Sequence, residues 1–443
     1  MELEAIPDFI VNKGLSEGAT DVAAMVIESD RVMIRFANND ISISKSYREN
    51  IASIFLMIKN HRAHTVINEL SEESVNKAIK NTIKTAKLIP PADIYAPLPS
   101  GPFEYDAQLL KPTVLKLEPE NLVGYIEEAV NGAFEYKIQK VAGSLIASNS
   151  KVYLATSGNV HAEQTASQLE ISIRAFASEV ASGHSVSIAQ DTRGFQPKEA
   201  GREAGEIAYM ASNPIKGEAG RYDAILGPLV FADLVNQVGI LSSAFYIDTG
   251  QSFLIDKLGS KVASEMFTLL DDPTVVGSYG ARAFDDEGLP TKRNVIVENG
   301  VLKTYLHNSL TAKKFNVNST SNAGYIVPTP WNLIVKPGDS SVQDLISQVD
   351  DGIYVTNVWY LRYQNYRTGD FSTIPRDGLF LIKHGEISKS IRELRISDNL
   401  LRIFQNLAGL SRESKWVKWW EVEVPTYTPY ALVKDLSFTK STL

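Results

Sequence analysis

The sequence has no cysteine, and this absence removes several kinds of chemistry at once. Without a thiol the chain cannot form a disulfide, present a thiolate nucleophile, hold an iron–sulfur cluster or build a cysteine-ligated zinc site. A protein without disulfides is typical of the reducing interior of a cell. We therefore expect a soluble intracellular protein.

Positive charge is also in short supply. Lysine and arginine total 44 against 52 aspartates and glutamates, which gives a net charge of -8. Proteins that bind nucleic acid draw much of their affinity from clustered basic side chains on the phosphate backbone. Direct binding to nucleic acid is therefore not expected.

Long hydrophobic runs are missing as well. The opening residues, MELEAIPDFIVNKG, carry acids where a signal peptide needs lysine or arginine, and Pro7 and Asp8 interrupt their apolar run. Nothing later approaches the uninterrupted span of about 18 apolar residues that crosses a bilayer. We predict that the protein lies in the cytoplasm, away from the membrane.

The length and the segment boundaries predict several modules. A chain of 443 residues exceeds what one hydrophobic core usually serves, and it favours about three units. We place an N-terminal α+β module at 1–90, a linker at 91–105, a second α+β module at 106–216 and a C-terminal domain at 217–443. The linker is rich in proline and has no hydrophobic period, as a semi-rigid connection requires.

Changes of hydrophobic period along the chain indicate the fold class. Residues 21–60 alternate apolar and polar positions between polar breaks, as antiparallel strands do. Val75, Ile79 and Ile83 then recur at helical spacing after Ser71, a predicted N-cap. The second module loosely repeats this order. We therefore predict an α+β fold with antiparallel or mixed sheets covered by helices, an N-terminal α/β lobe and a larger β-rich C-terminal domain.

The clearest local signal is a hairpin in the C-terminal domain. Asn299 and Gly300 can adopt the positive φ angles of a two-residue type I′ turn. This turn sets Val297 opposite Leu302 and places both on a largely apolar face. His307 falls on the opposite, mixed face, which could be exposed to solvent or could line a groove.

Two helices are predicted on either side of this hairpin. Residues 229–241 are apolar at helical spacing and should form a buried helix. Ser340 and Gln343 have the spacing of a capping box and predict the start of a second helix.

Acidic residues just before the hairpin admit two interpretations. Asp285, Asp286 and Glu287, followed at a distance by His307, could be oxygen and nitrogen ligands of a metal. The same acids end in a glycine, as a polar turn before a strand does. The turn is favoured because the sequence contains no further fixed ligand nearby.

Other candidate sites are weaker. His61 and His64 are three residues apart but fall in a predicted strand or turn, so surface histidines are favoured over metal ligands. The string GLSEG at 14–18 matches GxSxG. A nucleophile elbow needs a strand before the serine and a helix after it, whereas this string follows a short helix. A glycine turn at the end of that helix is favoured.

The segment FDDEGLPTKRNVIVENGVLKTYLHNSLTAKKF resembles the signature of the TldD/PmbA proteins, also called modulators of DNA gyrase. Further matches are SNAGYIVPTPWNLIVKPGDSS, TGDFS and the terminal PYALVKDLSF. In this family the TldD-like branch is similar to zinc metallopeptidases and carries an HExxxH stretch on a C-terminal helix. The TldE/PmbA branch shares the fold and lacks that stretch.

The helix of this chain at the corresponding place reads GPLVFADLVNQVGILSS. The family's two histidines would fall at Phe231 and Asn236, and its glutamate at Ala232. Between residues 225 and 247 the only acid is Asp233, and no histidine occurs. The resemblance therefore implies a TldE/PmbA-type subunit with no catalytic or metal-binding residues of its own.

The resemblance further implies the partners of such a subunit. It would pair with a TldD-like HExxxH subunit that holds zinc, and the heterodimer would enclose a cavity that degrades unfolded peptides. His307, Tyr325, Thr368 and Asp370 are candidate cavity or peptide contacts. Two alternatives stay open, namely a stand-alone metal-dependent peptidase with a non-standard site and a homodimeric peptide-binding scaffold. The gyrase name implies an indirect role rather than contact with DNA.

Overall fold

The computed structural model describes residues 1–111 and 114–441 of the chain. A single 3-10 turn, Leu3–Ala5, precedes the first helix. The helices are α1 (Ile6–Ser16), α2 (Glu72–Leu88), α3 (Ala107–Leu110), α4 (Pro119–Ala133), α5 (Pro197–Met210), α6 (Pro228–Leu241), α7 (Ala244–Asp248), α8 (Ser309–Phe315), α9 (Val342–Ser347) and α10 (Leu400–Gln405).

The strands are β1 (Asp21–Ala37), β2 (Asp40–Ile58), β3 (His61–Ile67), β4 (Lys140–Thr156), β5 (Val160–Ser178), β6 (Ala181–Ala189), β7 (Ile215–Lys216), β8 (Gly220–Leu226), β9 (Leu269–Asp271), β10 (Asn294–Glu298), β11 (Val301–Leu302), β12 (Leu333–Val335), β13 (Asp351–Asn365), β14 (Asp370–Lys383), β15 (Glu386–Arg392), β16 (Leu394–Asn399), β17 (Leu407–Trp419) and β18 (Val422–Lys440).

The N-terminal half forms one six-stranded antiparallel sheet in the order β3-β2-β1-β4-β5-β6. The two predicted N-terminal modules contribute three strands each. They meet where β1 pairs with β4 from Ala23–Thr156 to Ala37–Ala142. The closing helix of the first module begins as predicted, because Oγ of Ser71 accepts the N–H of Ser74.

Helices cover one face of this sheet. Even-numbered residues of β1 share that face, because side chains alternate along a strand. Those near its start, such as Ala24, pack against α1 and α2, and those near its end, such as Ile34, pack against α4 and α5. The opposite face, which carries Met25 and Phe55, packs against Phe284 and Tyr325 of the C-terminal half.

The C-terminal half is built on a twelve-stranded sheet. Its main order is β11-β10-β9-β12-β18-β8-β13-β14-β15-β7, while β16 pairs with β14 and β18, and β17 pairs with β18. The pairs β12–β18, β8–β13 and β7–β15 are parallel, so the sheet is mixed. This architecture confirms the predicted α+β class with a larger, β-rich C-terminal part.

Helix α6 is buried against this sheet, as its sequence predicts. It is apolar around most of its circumference, and such a helix is stable only inside a core. Its neighbours include β12, β13, β17 and β18. Across residues 1–111 and 114–441, no helix combines the length and the apolar character that crossing a bilayer requires.

The hairpin at Asn299–Gly300 is confirmed. The two residues have φ angles of 47° and 80°, and Val297 pairs with Leu302. The mixed face is divided, because Tyr305 and His307 are buried whereas Glu298 and Lys303 are exposed to solvent.

The predicted capping box at Ser340 and Gln343 is wrong by one residue. The structure forms it between Ser341 and Asp344. The carbonyl of Ser340 accepts the N–H of Arg412, which keeps Ser340 in a bridge with β17.

Candidate functional site

The three positions on α6 that the family resemblance aligns with the zinc motif all contact other parts of the fold. The ring of Phe231 packs against Phe267 and Phe404, with centroids 6.3 and 5.9 Å away. Nδ2 of Asn236 donates to the carbonyl of Val424 at 3.1 Å and to Oγ1 of Thr426 at 2.6 Å. Its Oδ1 accepts the N–H of Val424 at 2.9 Å. Both side chains therefore hold α6 in the core.

These residues do not fit a zinc ion. Ala232 lies in an apolar cluster with Leu229 and Trp419, and neither phenyl nor methyl groups ligate metals. Zinc chemistry needs about three protein ligands and a base for the bound water. Over the described ranges 1–111 and 114–441, no group of three or more histidines, aspartates or glutamates could hold a metal ion.

Asp233 is the unusual residue of this helix. Its side chain is fully buried, and its Oδ1 lies 3.5 Å from Nε2 of Gln237. Its Oδ2 has no hydrogen-bond partner among the residues that the structure describes. Burial raises the pKa of Asp233 well above the ordinary value, and the charge of Glu421 raises it further. The sequence shows Asp233 only as an isolated acid, because its burial depends on strands far away in the chain.

A cavity of about 690 Å³ lies beside this helix. Its walls come from α6 and α7 with the turn after them, from the end of β13 with the turn that follows, and from the turn between β17 and β18. They include Gln237, Leu241, Tyr363, Tyr366, Trp420 and Glu421. Sequence reasoning did not find this cavity, since three distant segments form it.

The acidic turn before the hairpin is present, but it is not solvated. Oδ1 of Asp285 accepts the N–H groups of Glu287 and Leu289, and Oδ2 accepts that of Ala323. Asp286 pairs with Arg282 at 3.0 Å. These bonds are those of a folded turn, as the favoured interpretation predicts.

Glu287 and His307 both contact the first turn of α8. Glu287 accepts the backbone N–H and the hydroxyl of Ser309 at 3.0 and 2.5 Å. Burial raises its pKa to about 7. Nδ1 of His307 lies 3.3 Å from Oγ1 of Thr311, and burial lowers the pKa of His307 to about 4. The imidazole is therefore neutral at pH 7.

Tyr325 lies between the two halves of the protein. Its ring stacks on Phe55 of β2 at 5.3 Å, and His64 of β3 is 5.1 Å away.

His61 is the other candidate histidine of β3. Its Nδ1 lies 2.7 Å from the carbonyl of Ile89. The two histidines therefore have different surroundings.

Thr368 and Asp370 lie together in the exposed turn between β13 and β14. The hydroxyl of Thr368 donates to Oδ2 of Asp370 at 2.5 Å, and Nδ2 of Asn399 donates to Oδ1 at 2.8 Å. The same turn carries Tyr366, which lines the cavity beside α6. The four candidate contacts thus occupy three different environments.

Ser172, His184 and Asn357 are arranged like a serine nucleophile, its general base and the residue that orients the base. Oγ of Ser172 lies 2.9 Å from Nε2 of His184, whose Nδ1 is 3.0 Å from Nδ2 of Asn357. Oδ1 of Asn357 accepts the N–H of Val358. The atom that faces the imidazole is therefore Nδ2, which can only donate. The proton of His184 is then on Nε2 and points at Ser172. This imidazole cannot accept a proton from the hydroxyl.

A family comparison identifies the C-terminal half. A family model described as the PmbA/TldA metallopeptidase C-terminal domain matches residues 219–440. The chain belongs to the PmbA/TldD family. The predicted family is therefore confirmed, and the matched region contains both α6 and the cavity.

Named relatives of this PmbA/TldD protein are metalloproteases. It is 32% identical over 204 residues to a metalloprotease of Methanocaldococcus jannaschii, covering 44% of each chain. It is 34% identical over 161 residues to a metalloprotease PmbA homologue of Haemophilus influenzae, covering 36% of this chain and 34% of that relative. In these matches the chain spans less than half the length of the curated relatives.

Solved structures share the whole fold of this PmbA/TldD protein. TldE from Thermococcus kodakarensis superposes with a TM-score of 0.85 at 21% identity, over 98% of this chain and 100% of that chain. Such an identity establishes the architecture alone.

Proposed function

We propose that this PmbA/TldD protein is a TldE/PmbA-type subunit that binds peptide without hydrolysing it. The observation that carries the proposal is the packing of α6. Where the family resemblance places the two histidine ligands and the glutamate base, Phe231 and Ala232 lie in apolar clusters and the amide of Asn236 is hydrogen-bonded to β18. Zinc and the catalytic base would come from a TldD-like HExxxH partner in a heterodimer.

The cavity beside α6 supports a peptide-binding role. With about 690 Å³ it has the size of a typical ligand pocket, and aromatic and polar side chains line it together. Peptides in extended form can also pair with strand edges through their main chain, independently of sequence. Unfolded peptides in the cytoplasm are the proposed substrates of the complex, with no direct role for nucleic acid or membrane.

The experiment compares the isolated chain with a co-expressed pair. We expect the isolated chain to lack peptidase activity and tightly bound zinc. Together with a TldD-like HExxxH subunit it should form a stable complex that degrades unfolded peptides. Stoichiometric zinc and peptidase activity in the isolated chain would overturn the proposal in favour of a stand-alone enzyme. Failure to bind any TldD-like chain, with a stable homodimer instead, would favour the scaffold alternative.

A further inference from the structure

The buried carboxyl of Asp233 lies close to side chains that line the cavity beside α6. The side chains that influence this buried carboxyl electrostatically are Gln237, Arg362, Tyr363 and Glu421, and all of them line the cavity. Within the described part of the chain, neither Oδ2 of Asp233 nor the hydroxyl of Tyr363 has a hydrogen-bond partner. Both atoms are buried, so a ligand in the cavity would meet the charged and aromatic side chains that line it rather than these two atoms.

The walls of the cavity favour a positive ligand. Glu421 and Glu423 contribute two carboxylates, against one guanidinium from Arg362. That guanidinium donates to the carbonyl of Leu361 and lies 5.5 Å from the ring of Tyr360, so it already has contacts of its own.

Aromatic rings supply the rest of the surface. Tyr246, Tyr363, Tyr366 and Trp420 line the cavity, and the rings of Tyr363 and Tyr366 stack at 4.4 Å. Tyr366 and Trp420 leave 52% and 54% of their surfaces exposed, which makes them accessible to a ligand. Aromatic faces attract ammonium and guanidinium groups, and nearby carboxylates complete such sites.

We propose that this cavity binds a cationic nitrogen of a peptide, either its free amino terminus or a basic side chain. Glu421 and Glu423 pair with the charge, and the tyrosine and tryptophan rings enclose it. This inference rests on the proposed function, because it names the part of the peptide that the subunit recognises.

The test measures binding of three short peptides to the full-length protein. Calorimetry and tryptophan fluorescence compare a tetra-alanine amide with a free amino terminus, its N-acetylated form, and an N-acetylated form with one lysine. We expect the neutral acetylated peptide to bind at least about tenfold more weakly than one of the other two, as loss of a charge-assisted hydrogen bond implies. Preference for the first peptide identifies the amino terminus as the ligand, and preference for the lysine peptide identifies the side chain.

Two isosteric variants test the residues. In Glu421→Gln, the side chain keeps its size and loses its charge, so the amine-bearing peptide should bind at least about tenfold more weakly. Glu423→Gln, on the same cavity wall, should weaken binding similarly. Glu298→Gln, which removes one charge from the exposed side of the hairpin, should leave affinity unchanged. Circular dichroism establishes that each variant is folded.

Equal binding of all three peptides would overturn the inference while leaving peptide binding intact. Unchanged affinity in both folded cavity variants would also overturn it. If none of the peptides binds, the inference fails. In that case, peptidase activity of the complex with a TldD-like chain would show that the proposed function holds even though the inference about the cationic ligand has failed.

Discussion

Asn236 of α6 donates a 2.6 Å hydrogen bond to Oγ1 of Thr426 on β18, which is 190 residues away in sequence. With the two bonds to the backbone of Val424, the amide joins the helix to the strand beneath it. Asn236, which the family resemblance is expected to align with a metal ligand, therefore stabilises the fold in this chain.

Substitution Asn236→Ala should destabilise the C-terminal half by about 3 kcal/mol. The change leaves the buried N–H of Val424 without its partner, a loss that costs about 1–3 kcal/mol. It also removes one hydrogen bond each from the carbonyl of Val424 and the hydroxyl of Thr426, which stay bonded to each other. Urea denaturation followed by tryptophan fluorescence measures the effect. Gln237→Ala, on the cavity side of the same helix, is the control and should cost much less.

Gly300→Val should destabilise the protein by at least about 1 kcal/mol, because β-branched residues resist positive φ. A side chain there would also meet the carbonyl oxygen of Ala263 at 2.3 Å. The midpoint of thermal unfolding reports the change. Asn299→Gly keeps the turn conformation and should have little effect. Equal stability of Gly300→Val and the parent protein would contradict the hairpin geometry.

Restoring the family motif should not create a peptidase. The triple variant Phe231→His, Ala232→Glu and Asn236→His buries polar groups among Phe267, Phe404 and other core residues, and it supplies no third ligand. We expect loss of stability in thermal unfolding and no zinc-dependent peptide hydrolysis. Activity from these three changes alone would show that the remaining ligands and their supports are already in place.

The buried Glu287 should make stability depend on pH. Its folded pKa of about 7 exceeds the ordinary glutamate pKa of 4.5, mainly because of burial. The unfolded chain therefore loses its proton first, and the stability contribution declines as pH rises from about 4.5 to about 7. Glu287→Gln can still accept from Ser309 but cannot ionise. Its melting temperature relative to the parent should rise over this interval, and parallel curves would contradict the assignment.

Ser172→Ala should leave any peptidase activity of the assembled complex unchanged. The hydroxyl accepts a hydrogen bond from Nε2–H of His184 and does not donate one to it, so it is not an activated nucleophile. Loss of that hydrogen bond should cost about 1 kcal/mol of stability. A fluorophosphonate reagent tests the same point, since attachment to Ser172 in the parent protein would contradict the proton assignment.

Features that depend on neighbouring residues could be predicted from the sequence. The hairpin follows from the positive φ angles that Asn299 and Gly300 adopt, and α2 begins at Ser71 because a serine hydroxyl can accept a backbone N–H three residues on. The buried helix α6 follows from an apolar sequence at helical spacing. These preferences are local energies of backbone and side chain, and they are largely independent of the rest of the chain.

The tertiary structure alone decided what surrounds these elements. Pairing of β1 with β4 joins residues more than 100 positions apart into one sheet. The face of this sheet that carries no helices packs against Phe284, next to the acidic turn. The carbonyl of Ser340 is held by Arg412, so the capping box starts one residue later than predicted. The pKa of Asp233 is raised because the fold buries its carboxyl and brings the charge of Glu421 close to it. Burial and charge at a site depend on which distant surfaces meet, and local sequence preferences do not specify those contacts.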